Sequence, residues 1–184
     1  MMTDVISLRA AEPLDALFWA QLRAQPCAQP YMPFATATPG QLSDRLRACA
    51  PHIDVHDDAE LRRIVVVNGV PAGMLGAVDR SPQMASAELS YQICSQYQRR
   101  GIATQALRLF VQALFAAGYR RLYATVSVDN QPSRALLARL GFQVEGCLRQ
   151  HYVIDGRAVD QMIYGLLCSE SPLAKRAASQ FKEV

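Results

Sequence analysis

Several residues suited to chemistry lie together in the second half of this chain. Gln98-Arg99-Arg100-Gly101-Ile102-Ala103 stands where an alternating segment ends and an apolar helical pattern begins. At such a turn the first helical N–H groups lack intrahelical acceptors and the helix presents its positive end, so backbone alone can hold an anion. Gly101 lets the chain come close to a pyrophosphate, Ala103 is small for the same reason, and Arg99 and Arg100 add donors and charge. A glycine beside two arginines is also an ordinary helix entry, so the hexapeptide by itself names an anion and no reaction.

Neither G-x-G-x-x-G in the first strand-to-helix turn nor G-x-x-x-x-G-K-[ST] is present, so dinucleotide and nucleoside-triphosphate folds lack their fingerprints. Coenzyme A is then the natural pyrophosphate ligand. Other titratable groups are Glu88, a lone carboxylate on an alternating segment, and His151, whose ordinary pKa suits proton transfer but which equally reads as an exposed or structural residue. His52 and His56 alternate with Asp54, Asp57 and Asp58 at a spacing that fits no strong zinc pattern, so no metal is expected.

The elements that must position these groups follow from hydrophobic period and turn chemistry. A short strand over Ile6–Arg9 precedes a helix over Pro13–Leu22, proline sitting in its first turn. Pro26, Pro30 and Pro33 enforce a loop through Tyr31-Met32-Pro33-Phe34, and a second helix runs from Pro39 to Cys49 behind a Thr38 cap. Asn68-Gly69 joins Arg62–Val67 to Val70–Val78 as a hairpin, and Glu88–Ile93 alternates as the next strand. Gly101–Ala117 presents Ile102, Ala106, Leu109, Phe110, Ala113 and Leu114 on one face, ends at Gly118 and feeds a strand over Leu122–Val126. A helix over Pro132–Leu140, a strand over Phe142–Ile154, a turn at Asp155-Gly156 and a last strand over Ala158–Leu167 complete the pattern, with a surface helix or frayed tail over Pro172–Val184. Hairpins at both ends of a strand-helix-strand unit predict an α/β fold with a mixed sheet and helices on its faces.

With 184 residues, about half of them apolar, one domain over 1–184 is expected: helices and loop over 1–60, a core over 61–167 and a tail over 168–184. The net charge of +3 is small and dispersed, so neither a nucleic-acid nor a membrane partner is implied. Five cysteines without C-x-x-C spacing, no apolar run of membrane length and no leader-like start together predict a reduced, soluble, cytoplasmic protein. An exposed final strand leaves a homodimer open.

Gln98, Gly101 and Ala103 match Q/R-x-x-G-x-G/A, the signature of the GNAT acetyltransferases, and the chain resembles that superfamily from about Ala87 to Leu167. It is most similar to the RimJ/RimL type, through Ala87-Glu88-Leu89-Ser90-Tyr91, Asn130-x-x-Ser133, Gly141-Phe142-x-x-Glu145-Gly146-x-Leu148-Arg149 and Gly156-x-x-x-Asp160-x-x-x-Tyr164-x-Leu166-Leu167. The resemblance implies a mostly antiparallel sheet of about seven strands with a splayed parallel pair, flanked by about four helices. It also implies acetyl-CoA as cosubstrate, held at Gln98–Ala103 and by backbone around Gln92, Ile93 and Cys94. The implied reaction is N-acetyl transfer to a protein N-terminus or a small amine, by direct attack in a ternary complex. A coenzyme A sensor or partner-binding module without turnover is the alternative.

An amine attacks only when neutral, which calls for a base, and Glu88 stands where many members of the superfamily carry a catalytic glutamate. A structurally paired glutamate is the plain alternative. The resemblance also implies that Asn130 bonds the pantetheine arm and that Ser133 lies near the thioester sulfur, although both residues also suit a helix start. Tyr31 and Tyr152 are the expected acceptor-side residues; Trp19 and Phe34 read equally well as core. In two places the chain departs from its relatives: Leu137 stands where many GNAT enzymes have a tyrosine acid, and Arg149-Gln150-His151-Tyr152 stands where the ribosomal-protein enzyme has a carboxylate.

Overall fold

The computed structural model describes residues 4–33 and 37–174. A seven-stranded sheet runs in the order β1-β2-β3-β4-β5-β7-β6, built from β1 (Ile6–Ala10), β2 (Leu61–Val67), β3 (Val70–Ser81), β4 (Ser86–Ile93), β5 (Arg121–Ser127), β6 (Gln143–Ile154) and β7 (Arg157–Leu167). Every neighbouring pair is antiparallel except β4 and β5. Four α-helices accompany it: α1 (Ala16–Arg23), α2 (Pro39–Arg47), α3 (Ile102–Ala116) and α4 (Gln131–Arg139).

Helices lie on both faces of the part of the sheet around β2 and β3, so residues of both parities are buried along those strands. Along β2 the alternation sends Val65 and Val67 to a core beneath α3 and α4, where Phe110, Leu114 and Leu137 are fully buried. Ile64 points the other way, to a smaller core under α1 and α2 with Trp19, Leu22, Leu42 and Leu46. The first 60 residues therefore supply the edge strand β1 as well as the two helices, and residues of β4 serve different faces according to parity.

The ends follow local chemistry. Thr38 caps α2 through a reciprocal box with Gln41. A buried Arg80 guanidinium ties the acidic loop down by donating to the Asp54 and Ala59 carbonyls, with its Nε 2.7 Å from the Tyr119 hydroxyl. The expected tail helix starts at Pro172, and the rest of it, like Phe34, lies outside the described residues.

Candidate active site

Gly101 caps α3 with φ of 77°, in the left-handed region, and Arg99 precedes it at 58°. An added Cβ at Gly101 meets nothing within 4 Å, so inside the protein it is the backbone angle, not crowding, that calls for glycine. The Gln98 amide is engaged within the fold: its Nε2 donates to the Ile93 carbonyl at 3.2 Å and to Cys27 Sγ at 3.4 Å, fastening the turn to the end of β4. Arg100 pairs with Asp4 at 2.9 Å and lies over the Tyr97 ring. Arg99 is exposed and has no bonded partner among the described residues.

The parallel ladder between β4 and β5 covers only Ser86–Glu88 against Arg121–Tyr123. On its other edge β4 stays paired with β3 through Ile93, and the Cys94 N–H donates to Ala72 at 2.8 Å. Strand groups alternate between edges, so the backbone of Leu89, Tyr91 and Ile93 faces the β5 side, where the ladder has stopped.

Glu88 sits at that stopping point. The Thr125 N–H, which a continuing ladder would give to a β4 carbonyl, instead donates to Glu88 Oε1 at 3.3 Å, and the Thr125 hydroxyl donates to the same oxygen at 2.6 Å. The carboxylate thus takes the place of the next rung, half-buried at the mouth of the gap. Its negative charge, after burial and the hydrogen bond to Asp79, helps push the Tyr123 phenol up. Tyr152 joins the group, its hydroxyl 3.5 Å from Thr125 Oγ1, while its neighbour His151 is exposed with the rings 4.6 Å apart.

On the opposite face of β4, the Tyr91 hydroxyl lies 2.5 Å from Ser133 Oγ. Burial pushes this phenol up to about 12, so near neutrality it stays protonated. Asn130 caps α4 by accepting the Ser133 N–H at 3.2 Å, and Leu137 is fully buried in the core. Gln92 turns its amide to the Leu22 carbonyl, tying α1 to β4. Tyr31 ends a short 3₁₀ turn, half-buried. At the departing segment, Gln150 has φ of 50° inside an irregularity of β6, its N–H held by Asp160 at 2.8 Å. Among the described residues no group of three or more His, Cys, Asp or Glu is placed to hold a metal ion.

Two members of this arrangement, Thr125 and Tyr91, escape a reading of the sequence. Thr125 lies inside an apolar strand and matters only through the register of β5 against β4. Tyr91 was visible as part of an alternating strand, yet its parity puts it opposite Glu88, and only the packing of α4 shows what it reaches.

The sequence profile of the acetyltransferase (GNAT) domain matches residues 6–143. The uncharacterized N-acetyltransferase YoaA of Bacillus subtilis (strain 168) is 33% identical over 96 residues, 52% of this chain and 54% of that protein. The spermidine N(1)-acetyltransferase of Escherichia coli (strain K12) is 32% identical over 104 residues, 56% of each. The chain spans about half the length of these curated relatives in the matched regions. Among solved structures, Mycobacterium smegmatis RimJ in complex with CoA-disulfide superposes with a TM-score of 0.80 at 28% identity, covering 96% of this chain and 90% of that one.

Proposed function

The chain belongs to the GNAT acetyltransferase family, and on that premise we propose that it transfers acetyl from acetyl-CoA to a primary amine by direct attack in a ternary complex. The acceptor is a protein N-terminus or a small amine. The observation that carries this reading is the gap between β4 and β5, bounded by Glu88 and Thr125 and opening beside the start of α3. Relatives support it: one acetylates spermidine by name, and RimJ was solved with a coenzyme A disulfide.

The residues suit the ligand. Open space in front of Gly101 and the free first-turn N–H groups of α3 fit a pyrophosphate, with Arg99 available to neutralise it. The outward backbone of Leu89 to Ile93 fits an extended amide-bearing arm, as one added strand. When bound, acetyl-CoA supplies the activated thioester.

The protein does the rest. The β4 N–H groups facing the gap donate to the oxygen on which negative charge gathers. Glu88 takes a proton from the acceptor ammonium, directly or through water, while Thr125 holds its other oxygen still. Ser133 relays to the departing sulfur the proton that the attacking nitrogen sheds, receiving one as it gives one, its hydroxyl oriented by Tyr91.

Thiol release from acetyl-CoA, followed with N-terminal peptides, polyamines, amino acids and aminoglycosides, tests the proposal. Amine-dependent release is expected. Saturable coenzyme A binding with no turnover on any amine would replace it with the non-catalytic binding module.

A further inference from the structure

The far end of the hairpin formed by β6 and β7 lies nearer to Glu88 than its strand pairing alone would bring it. Thr125 of β5 stands opposite Ile163 of β7, whereas Tyr152 of β6 stands opposite Val159. Flat strands would hold the two residues roughly 13 Å apart along the sheet and about 10 Å apart across it, out of side-chain contact. Yet the Tyr152 hydroxyl is 3.5 Å from Thr125 Oγ1. The hairpin end is therefore bent over the acceptor face.

The bend has a local origin. Leu148 pairs with Gln161 and Tyr152 with Val159, so β6 runs through Arg149, Gln150 and His151 while β7 passes Asp160 alone. Surplus residues in one strand of an antiparallel pair interrupt the ladder and bend that strand. Gln150, the middle residue, takes φ of 50°, a left-handed angle that an L-residue adopts at a cost. The Asp160 side chain holds it there: Oδ1 accepts the Gln150 N–H at 2.8 Å, in place of the missing rung. The Asp160 carbonyl accepts the Val128 N–H at 3.2 Å, which anchors this point to the segment between β5 and α4.

The contact that the bend makes leads to Glu88. The Thr125 hydroxyl donates to Glu88 Oε1 at 2.6 Å, so toward Tyr152 it can only accept, and the Tyr152 hydroxyl is the donor there. A donor on that side of Thr125 keeps the threonine hydrogen directed at the carboxylate. Without it the hydroxyl is free to rotate, and Glu88 loses a fixed partner.

We propose that Asp160 is a positioning residue for acetyl transfer: it fixes the bend of β6 that lays Tyr152 on Thr125, and through these two it orients Glu88 toward the acceptor amine. The inference rests on the acetyl-transfer reading, with Glu88 as base.

The test follows thiol release by the wild type, Asp160→Ala, Asp160→Asn, Tyr152→Phe and the Asp160→Ala, Tyr152→Phe double variant. The acceptor is the amine turned over fastest in the panel above, and the pH runs from neutral to alkaline. One hydrogen bond of ordinary strength corresponds to about fivefold, so kcat at neutral pH should fall by about that much in Asp160→Ala and in Tyr152→Phe. KM for acetyl-CoA should stay near wild type. Asp160→Asn keeps an oxygen for the Gln150 N–H and should remain within about twofold of wild type. The double variant should be no slower than the slower single one, because both changes break the same chain. All deficits should fade as the pH passes the acceptor's own pKa, where the amine is neutral without a base. Losses that multiply in the double variant, persist at alkaline pH or recur undiminished in Asp160→Asn overturn the proposal, as does a wild-type kcat in Asp160→Ala. Should Asp160→Ala fail to fold by its melting curve, Asp160→Glu, which carries its oxygens one methylene farther, takes its place with the same expectations. Should no amine be acetylated, urea midpoints of the same variants separate the two ideas. Overlapping losses in the double variant keep Asp160 as the group that holds Tyr152 and discard the transfer reading, and losses that add discard the Asp160 assignment.

Discussion

Glu88→Gln divides the two roles that the geometry gives this residue. The amide keeps an oxygen where Oε1 stands, so both Thr125 donors, at 2.6 and 3.3 Å, still find an acceptor. What is lost is charge. A hydrogen bond to a charged group contributes roughly 1.5–3 kcal/mol and a neutral one roughly 0.5–1.5, so stability should fall by about 1 kcal/mol. For a domain of this size that lowers the melting temperature by roughly 2–4 °C. Glu88→Ala leaves a half-buried N–H and hydroxyl facing an empty position, at about 1–3 kcal/mol for each group left unsatisfied, so its melting temperature should fall further. Activity should divide differently. A general base contributes about 10²–10⁴-fold, and both variants should lose that much at neutral pH. Raising the pH past the acceptor's own pKa, near ~8 for an α-amine, makes the amine neutral without help and should restore much of the glutamine variant's rate. Thiol release over a pH series, beside thermal melts of the three proteins, makes the comparison. A glutamine variant that keeps more than about half the wild-type rate at neutral pH refutes the base assignment and leaves Glu88 as the rung that ends the ladder.

Other outcomes follow from the same geometry. Gly101→Ala must hold an L-residue at φ of 77°, which costs roughly 1–2 kcal/mol, yet its Cβ meets no protein atom. A modest drop in melting temperature with a tenfold or larger rise in the coenzyme A Kd is expected by calorimetry, and an unchanged Kd would remove the turn from the binding site. Tyr91→Phe deletes one partner of the 2.5 Å contact to Ser133; it should lower kcat while leaving KM for acetyl-CoA near wild type, and a loss confined to KM contradicts the orienting role. Stability should also fall on the acid side. Burial would raise the Glu60 carboxylate, but the Arg45 hydrogen bond and the Arg62 charge outweigh it and hold it below its ordinary value. Glu145 is held low by its hydrogen bond from Arg121. Their contributions are complete above the ordinary carboxylate range and disappear as pH falls through the depressed values, so urea midpoints should drop there and Glu60→Gln should flatten that decline.

The parts of the fold governed by neighbouring residues were legible in the sequence. Asn68-Gly69, the Thr38 cap and the apolar face of α3 each act over a few positions, and the elements they predict stand within a residue or two of the observed limits. β3 runs three residues past its expected end because Ser81 regains a partner in Ser86 after an irregularity, a long-range event with no local mark. The candidate site divides the same way. Gly101 was identifiable because a positive φ at a helix start is a local demand. Arg100 read as a free phosphate donor, yet Asp4, just before β1, reaches it from 96 residues away. Gln98 likewise gives its amide to Cys27, 71 residues away, as well as to nearby Ile93. Pairings of this length depend on the order of strands, which hydrophobic period does not encode.

The most direct test of the account is to incubate the protein with acetyl-CoA and the amine that it turns over fastest in the panel above, and to follow acceptor, protein and free coenzyme A by mass spectrometry over time. Direct transfer predicts acetylated acceptor and free coenzyme A appearing one for one, with no acetyl retained on the protein. Coenzyme A released without acetylated acceptor, or an acetyl group accumulating on the protein before it reaches the acceptor, would contradict it.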